Sequence, residues 1–152
     1  MDQTIFEALR GDHEVQRGIV ERLAKTQGDS PERRRLYAEL KAELSAHAAA
    51  EERCFYVPLF AHDLTLGKAR HSVAEHHELD ELIAALDAVS FGSSGWLNQA
   101  NSLFERIEHH LREEEREVFQ LAGKALSDAE KQRLAKAYQK EMRTLRGKQE
   151  AA

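Results

Sequence analysis

The sequence predicts an all-α fold, an up-down-up-down antiparallel four-helix bundle with an additional C-terminal helix. Three observations carry this. Apolar residues recur at steps of three and four, and no stretch alternates as a half-buried strand would. Only two prolines interrupt 152 residues that are 32% charged and 41% hydrophobic, a composition of helices with one buried face. Turn and cap signals leave four long segments with short connections, which favours antiparallel neighbours. A chain of this length can bury one sizeable core, so residues 1–152 read as a single domain, with the bundle over about 4–122 and the accessory helix over about 127–147.

The elements follow in order. Thr4 to Glu7 has the capping-box pattern and opens a short first helix. Gly11-Asp12 is expected to break or kink it, Asp12 then capping the segment that carries Val15, Ile19, Val20 and Leu23. In "TQGDSPERR" a turn is followed by Ser30 as N-cap and Pro31 at the first helical position, and the second helix should run to about Tyr56, where Pro58 stops it. A third helix is expected over about Lys68 to Val89, a turn at "SFGSSG", and a fourth helix from about Gly95 to Ala122. Ser127 to Glu130 is another capping box, opening a polar fifth helix to about Leu145. Its thin stripe of Leu134, Tyr138, Met142 and Leu145 suits packing across the outside of the bundle.

Several residues break the apolar pattern. On the fourth helix the inward stripe reads Trp96, Ala100, Leu103, Ile107, then His110 and Glu114, then Val118 and Leu121. On the second it reads Tyr37, Leu40, Leu44, then His47 and Glu51, then Phe55. His13 follows Phe6 and Leu9 on the first helix, and His76 follows Val73 on the third. Four helices thus each aim a histidine inward, and two add a glutamate one turn later. Buried ionised carboxylates without a partner are very expensive, so positive charge is expected among them.

The spacing sharpens this. His13 to His47 and His76 to His110 are both 34 residues, while His13 to His76, His47 to His110 and Glu51 to Glu114 are all 63. The chain reads as two helical hairpins related by an internal repeat, and two halves that each present two His and one Glu suit a dinuclear metal site. Any one histidine on a helix stripe is more often a satisfied core residue; the set on four stripes with matched spacing is what points to a metal. Helical phase and the 34-residue spacing select His76 over His77. The second glutamate of each doublet, Glu52 and Glu115, falls off the stripe and is expected in solvent, as are His62 and His109; His71 stays open. Cys54 reads as a small buried filler near the same face, with a redox reporter as the alternative.

With these residues in view, the chain resembles the hemerythrin-like, or HHE cation-binding, family over about residues 4–122. The carrying motifs are "GDHEV", "HAAAEE", "EHHEL" and "HLREEE". The resemblance implies a bundle holding two iron ions, non-heme and oxo- or hydroxo-bridged, with His13, His47, His76 and His110 as terminal ligands and Glu51 and Glu114 as bridges. Oxygen-carrying members have a further His one turn from the helix-three ligand. Here Ser72 and Asp80 stand four residues either side of His76, and His77, Glu75, His71 or Asp80 would have to substitute.

Imidazole and carboxylate suit divalent iron, manganese or zinc, and the absence of a thiolate cluster argues against structural zinc. The expected function is binding, sensing or reaction with O2, NO or peroxide; the alternatives are catalase-like peroxide consumption and iron storage or delivery at the same residues. A metal-free helical interaction module is disfavoured by the buried carboxylates. The net charge of −5 gives no nucleic-acid footprint, and no apolar run reaches transmembrane length. One cysteine and a start without signal-peptide character fit a cytoplasmic protein. No membrane partner is expected, and the chain is expected as a monomer or weak homodimer.

Overall fold

The computed structural model describes residues 2–151, whose regular secondary structure is helical, with no strand among the described residues. Five helical runs follow one another. α1 (Ile5–Ala24) is the first. α2 (Pro31–Glu51) continues through a π turn (Glu52–Tyr56) into short α3 (Val57–Leu59). α4 spans Asp63–Asp87. α5 (Trp96–Glu113) continues through a second π turn (Glu114–Val118) into α6 (Phe119–Ala125). α7 spans Asp128–Ala151. Neighbours pack as α1 on α2, α4 on α5 and α1 on α5, and α7 lies against α1 and α2. No helix among the described residues is long and apolar enough to cross a membrane.

The caps follow the sequence. Thr4 Oγ1 accepts from the Glu7 backbone N–H (3.3 Å) while Glu7 accepts from Thr4 N–H (3.1 Å), and Ser127 and Glu130 repeat this at α7. Ser30 accepts from Arg33 N–H, with Pro31 in the first turn. Gly28 takes the left-handed conformation (φ 62°) that the preceding turn needs.

The boundaries differ in three places. The expected break at Gly11-Asp12 does not occur: α1 is continuous. A mid-helix glycine costs about 1 kcal/mol. That is outweighed by the buried face of Ile5, Leu9, Ile19 and Leu23. Asp12 turns inward rather than capping, bonded to Tyr138 and Arg146. Pro58 does not end the second run at Tyr56; bonding there passes from the wide π register back to the α register, where a residue without an N–H is tolerated. α4 begins at Asp63, earlier than expected, because His62 is extended and Asp63 places a carboxylate in the first turn.

Two apolar clusters lie either side of a polar layer. One contains Ile5, Leu9, Phe55, Phe119, Leu134 and Met142. The other contains Ile19, Leu23, Leu40, Leu86, Trp96 and Leu103. Trp96 is fully buried beneath the Arg33 guanidinium, which stacks 4.5 Å from the ring centroid and donates to the Thr26 and Phe91 carbonyls. α7 is not a loose outer layer, since Leu134, Tyr138 and Met142 are all buried.

Candidate metal centre

The layer between the clusters is built by the four histidines and two glutamates that the stripes single out. Each is buried: His13, His47, Glu51, His76, His110 and Glu114. Each histidine sits mid-helix, at the helical phase of the apolar residues above and below it, so the folding of the core carries it inward. Both π turns begin at or just after a glutamate, Glu51 in one case and Glu114 in the other, widening the helix where its side chain must reach the layer.

The donor atoms converge as two overlapping groups. His13, His47, Glu51 and Glu114 form one, and Glu51, His76 and His110 the other, with the ligand-type atoms of each group all within 4.8 Å of one another. His13 Nε2 lies 3.1 Å from Glu114 Oε1, and His76 Nε2 lies 3.1 Å from Glu51 Oε1. His47 Nε2 lies 3.3 Å from Glu51 Oε2, and His110 Nε2 lies 3.8 Å from Glu114 Oε2. The 63-residue repeat therefore becomes a spatial two-fold: each relation in one half has its counterpart in the other.

These distances do not come from hydrogen bonding. All four Nε2 atoms, both oxygens of Glu51 and Glu114 Oε1 are buried without a hydrogen-bond partner among the described residues. Native proteins rarely leave even one such group unmade, and seven pointing at one place need an occupant. Bonds of about 2.1 Å at right angles put neighbouring ligand atoms about 3.0 Å apart. The donor set and its spacing fit a metal site, with Glu51 common to both groups. Burial would raise Glu51, but the imidazoles of His47 and His76 outweigh it and hold the carboxyl well below its ordinary range. Burial and the charge of Glu51 push Glu114 well above it.

The other ring nitrogen of every histidine meets an acceptor. His13 Nδ1 lies 2.8 Å from Glu115 Oε2, His76 Nδ1 3.1 Å from Glu52 Oε1, and His110 Nδ1 2.9 Å from Glu75 Oε1. His47 Nδ1 donates to the Tyr138 hydroxyl (2.7 Å), which donates to Asp12 Oδ2 (2.5 Å). Asp12 is closed in turn by Arg146. In the neutral imidazoles these partners place the proton on Nδ1 and leave Nε2 as the lone pair facing the layer.

This overturns the expected solvent role of Glu52 and Glu115. One step along a helix turns a side chain about 100° off the inward stripe, which here means the seam with the neighbouring helix rather than solvent. Glu115 is further clamped by Arg17 (3.0 Å), and its carboxyl is drawn down to about 2: burial opposes this, but His13 and Arg17 outweigh it. The signal was present in the sequence, because "EE" recurs at 51–52 and 114–115 and an acid precedes each of His13 and His76.

The two halves differ where the repeat breaks. Tyr56 donates to Glu114 Oε2, while its counterpart 63 residues on is Phe119. Gln16 has Leu79 as its counterpart; both line a cavity of about 20 Å³ beside His47, His76 and His110, and Gln16 Nε2 is buried with no hydrogen-bond partner among the described residues. The candidates for a further helix-three ligand stay outside the layer. His77 is exposed, Asp80 is exposed at the cavity edge, Glu75 backs His110, and His71 lies on the surface with His109. His62 is half-buried. Cys54 is buried beside Phe55, and burial pushes its thiol up.

The model of the hemerythrin HHE cation-binding domain matches residues 4–122. No curated protein matches the chain. Among solved structures it is similar to a hemerythrin HHE cation-binding domain-containing protein from Mycobacterium kansasii, with 26% identity, a TM-score of 0.86, and coverage of 95% of this chain and 88% of that one. The matched residues include all four inward histidines and both inward glutamates, and the chain belongs to the hemerythrin HHE cation-binding domain family.

Proposed function

We propose that the chain holds two iron ions, one against His13 and His47 and one against His76 and His110, bridged by Glu51 and Glu114. The scaffold we propose for them is one up-down-up-down four-helix domain, with α7 as an accessory helix. The observation that carries this reading is the convergence of seven buried, unpartnered donor atoms in two overlapping groups. Iron in such a site supplies redox change and open coordination for small oxidants. The chain supplies the rest. Glu115, Glu52, Glu75 and the Asp12–Tyr138 pair orient the imidazoles. Tyr56 holds Glu114 in place. The cavity of about 20 Å³ is large enough for a water-sized molecule.

Reaction with O2 or peroxide is favoured over reversible oxygen carriage. Ser72 and Asp80 supply no imidazole beside His76, so both halves offer the same number of side-chain donors and neither is closed. Tyr56, next to His76 and bonded to Glu114, places a hydroxyl proton at the edge of the layer. The test is rapid mixing of the reduced, iron-loaded protein with O2, and separately with hydrogen peroxide. The expected result is oxidation within minutes, no long-lived oxygenated spectrum, and consumption of the peroxide. A stable oxygenated spectrum that reverts on deoxygenation would restore the carrier reading.

A further inference from the structure

The face of α4 and α5 that points away from the buried layer carries a second convergence of metal-ligating groups. His71 Nε2 lies 3.2 Å from Glu113 Oε1 and 3.6 Å from Glu75 Oε2. His109 Nε2 lies 3.0 Å from Glu113 Oε2 and 3.9 Å from the same Glu75 oxygen. One ligand atom each from His71, Glu75 and Glu113 can be chosen within 4.8 Å of the others. Both histidines are half-open to solvent, whereas the Glu75 side chain is only 7% exposed, so only its outer oxygen faces the cluster.

Glu75 is divided between two tasks. Its Oε1 holds Nδ1 of His110, and its Oε2 has no hydrogen-bond partner among the described residues and faces the two surface imidazoles. Lys68, a neighbouring cation, is engaged by Glu117 at 2.9 Å, and Arg112, which lies with Arg116 beside His109 and Glu113, pairs with Glu108 at 3.7 Å. The internal repeat supplies an independent comparison. Sixty-three residues earlier than His71, His109 and Glu113 stand Ala8, Ala46 and Ala50, all buried in the cluster that includes Tyr138 of α7. One half of the repeat is thus smooth and covered by a helix, while the other is open and armed with ligands.

We propose that His71, Glu75 and Glu113, with His109 against Glu113 as a further ligand, form a surface site for a borderline divalent cation such as Zn2+ or Fe2+, and that Glu75 links its occupancy to His110. Imidazole and carboxylate donors suit such ions, and the separations of His71 Nε2 from Glu113 (3.2 Å) and Glu75 (3.6 Å) are those of atoms sharing one ion. A cation on Glu75 Oε2 draws charge from the carboxylate, weakens its bond to His110 Nδ1–H, and so weakens the donor strength of His110 Nε2.

The test uses the full chain, loaded with iron, oxidised and desalted, then titrated with Zn2+ by calorimetry while its absorption is recorded. One further zinc per chain is expected, accompanied by a shift of the ferric absorption. The His71→Ala/His109→Ala variant should lose both while keeping its iron content, and Glu113→Gln provides a second, independent loss. Absence of the extra equivalent, or its retention in the double variant, would overturn the site. Histidine-dependent binding that leaves the absorption unmoved would overturn the link to His110. Iron content is measured before zinc is added, so a failure of the buried-iron reading is seen separately from a failure at the surface.

Discussion

The hydroxyl of Tyr138 lies 2.7 Å from Nδ1 of His47. One residue of the C-terminal helix thereby does for His47 what Glu75 does directly for His110, and it does so as an intermediary for Asp12, the repeat counterpart of Glu75. The aspartate is one methylene shorter, and the tyrosine fills the difference. The accessory helix is part of the site.

Tyr138→Phe should therefore weaken metal binding on one half more than on the other. Removing a partner behind a metal-ligating histidine typically costs about 10–100-fold in affinity. The variant also leaves Asp12 with Arg146 as its remaining hydrogen-bond partner among the described residues. Sequential metal titration should show one binding step weakened and one retained; two unchanged steps would remove α7 from the site.

Glu115→Ala and Glu52→Ala separate the backing carboxylates. Glu115 is 15% exposed and clamped by Arg17, whereas Glu52 is 40% exposed. Both variants should lose metal affinity, with Glu115→Ala the more damaging and also lower in thermal midpoint, because Arg17 loses a partner in a half-buried position. A Glu115→Ala protein with wild-type affinity would mean that His13 needs no support at Nδ1.

Gln16→Leu copies the Leu79 side of the cavity onto its partner. The wild-type amide is a buried donor without a partner among the described residues, a feature that lowers stability unless a ligand uses it. The variant should be more stable to heat yet bind azide about tenfold more weakly, as expected for losing a hydrogen bond to a charged group. Optical titration of the oxidised protein with azide reads the second effect; unchanged affinity would assign the cavity no part in ligand binding.

Metal uptake should depend on pH. Burial alone would lower His76, but the carboxylates of Glu51 and Glu52 outweigh it and push the imidazole up to about 9. Below that value, binding at His76 must displace a proton, so apparent affinity should rise with pH and level off above about 9. Anaerobic Mn2+ titrations from pH 6.5 to 9 would check this, and a flat profile would contradict it.

The sequence was most legible where periodicity and burial act together. The stripes carried the four histidines and two glutamates because a residue in phase with Leu103 and Ile107 cannot avoid the core. Helix ends were less legible. A glycine and an aspartate at 11–12 read locally as a break, and only the tertiary bonds of Asp12 to Tyr138 and Arg146 decide otherwise. The backing groups were missed for a related reason. Glu52 and Glu115 lie off their own stripes and acquire meaning from a neighbouring helix, and the place of Tyr138 depends on how α7 docks. Their repetition at a 63-residue interval was the available signal for the glutamates; Tyr138 has no counterpart to reveal it.

The central claim is a dinuclear iron centre, and the most direct measurement is metal content with Mössbauer spectroscopy on protein from iron-replete growth. The account expects two irons per chain, coupled through a shared bridge so that the oxidised protein is diamagnetic at low temperature. Either Glu51→Ala or Glu114→Ala, which removes a buried carboxylate from the layer, should lower that stoichiometry. One iron per chain, two uncoupled irons, or zinc alone after iron-replete growth would contradict it.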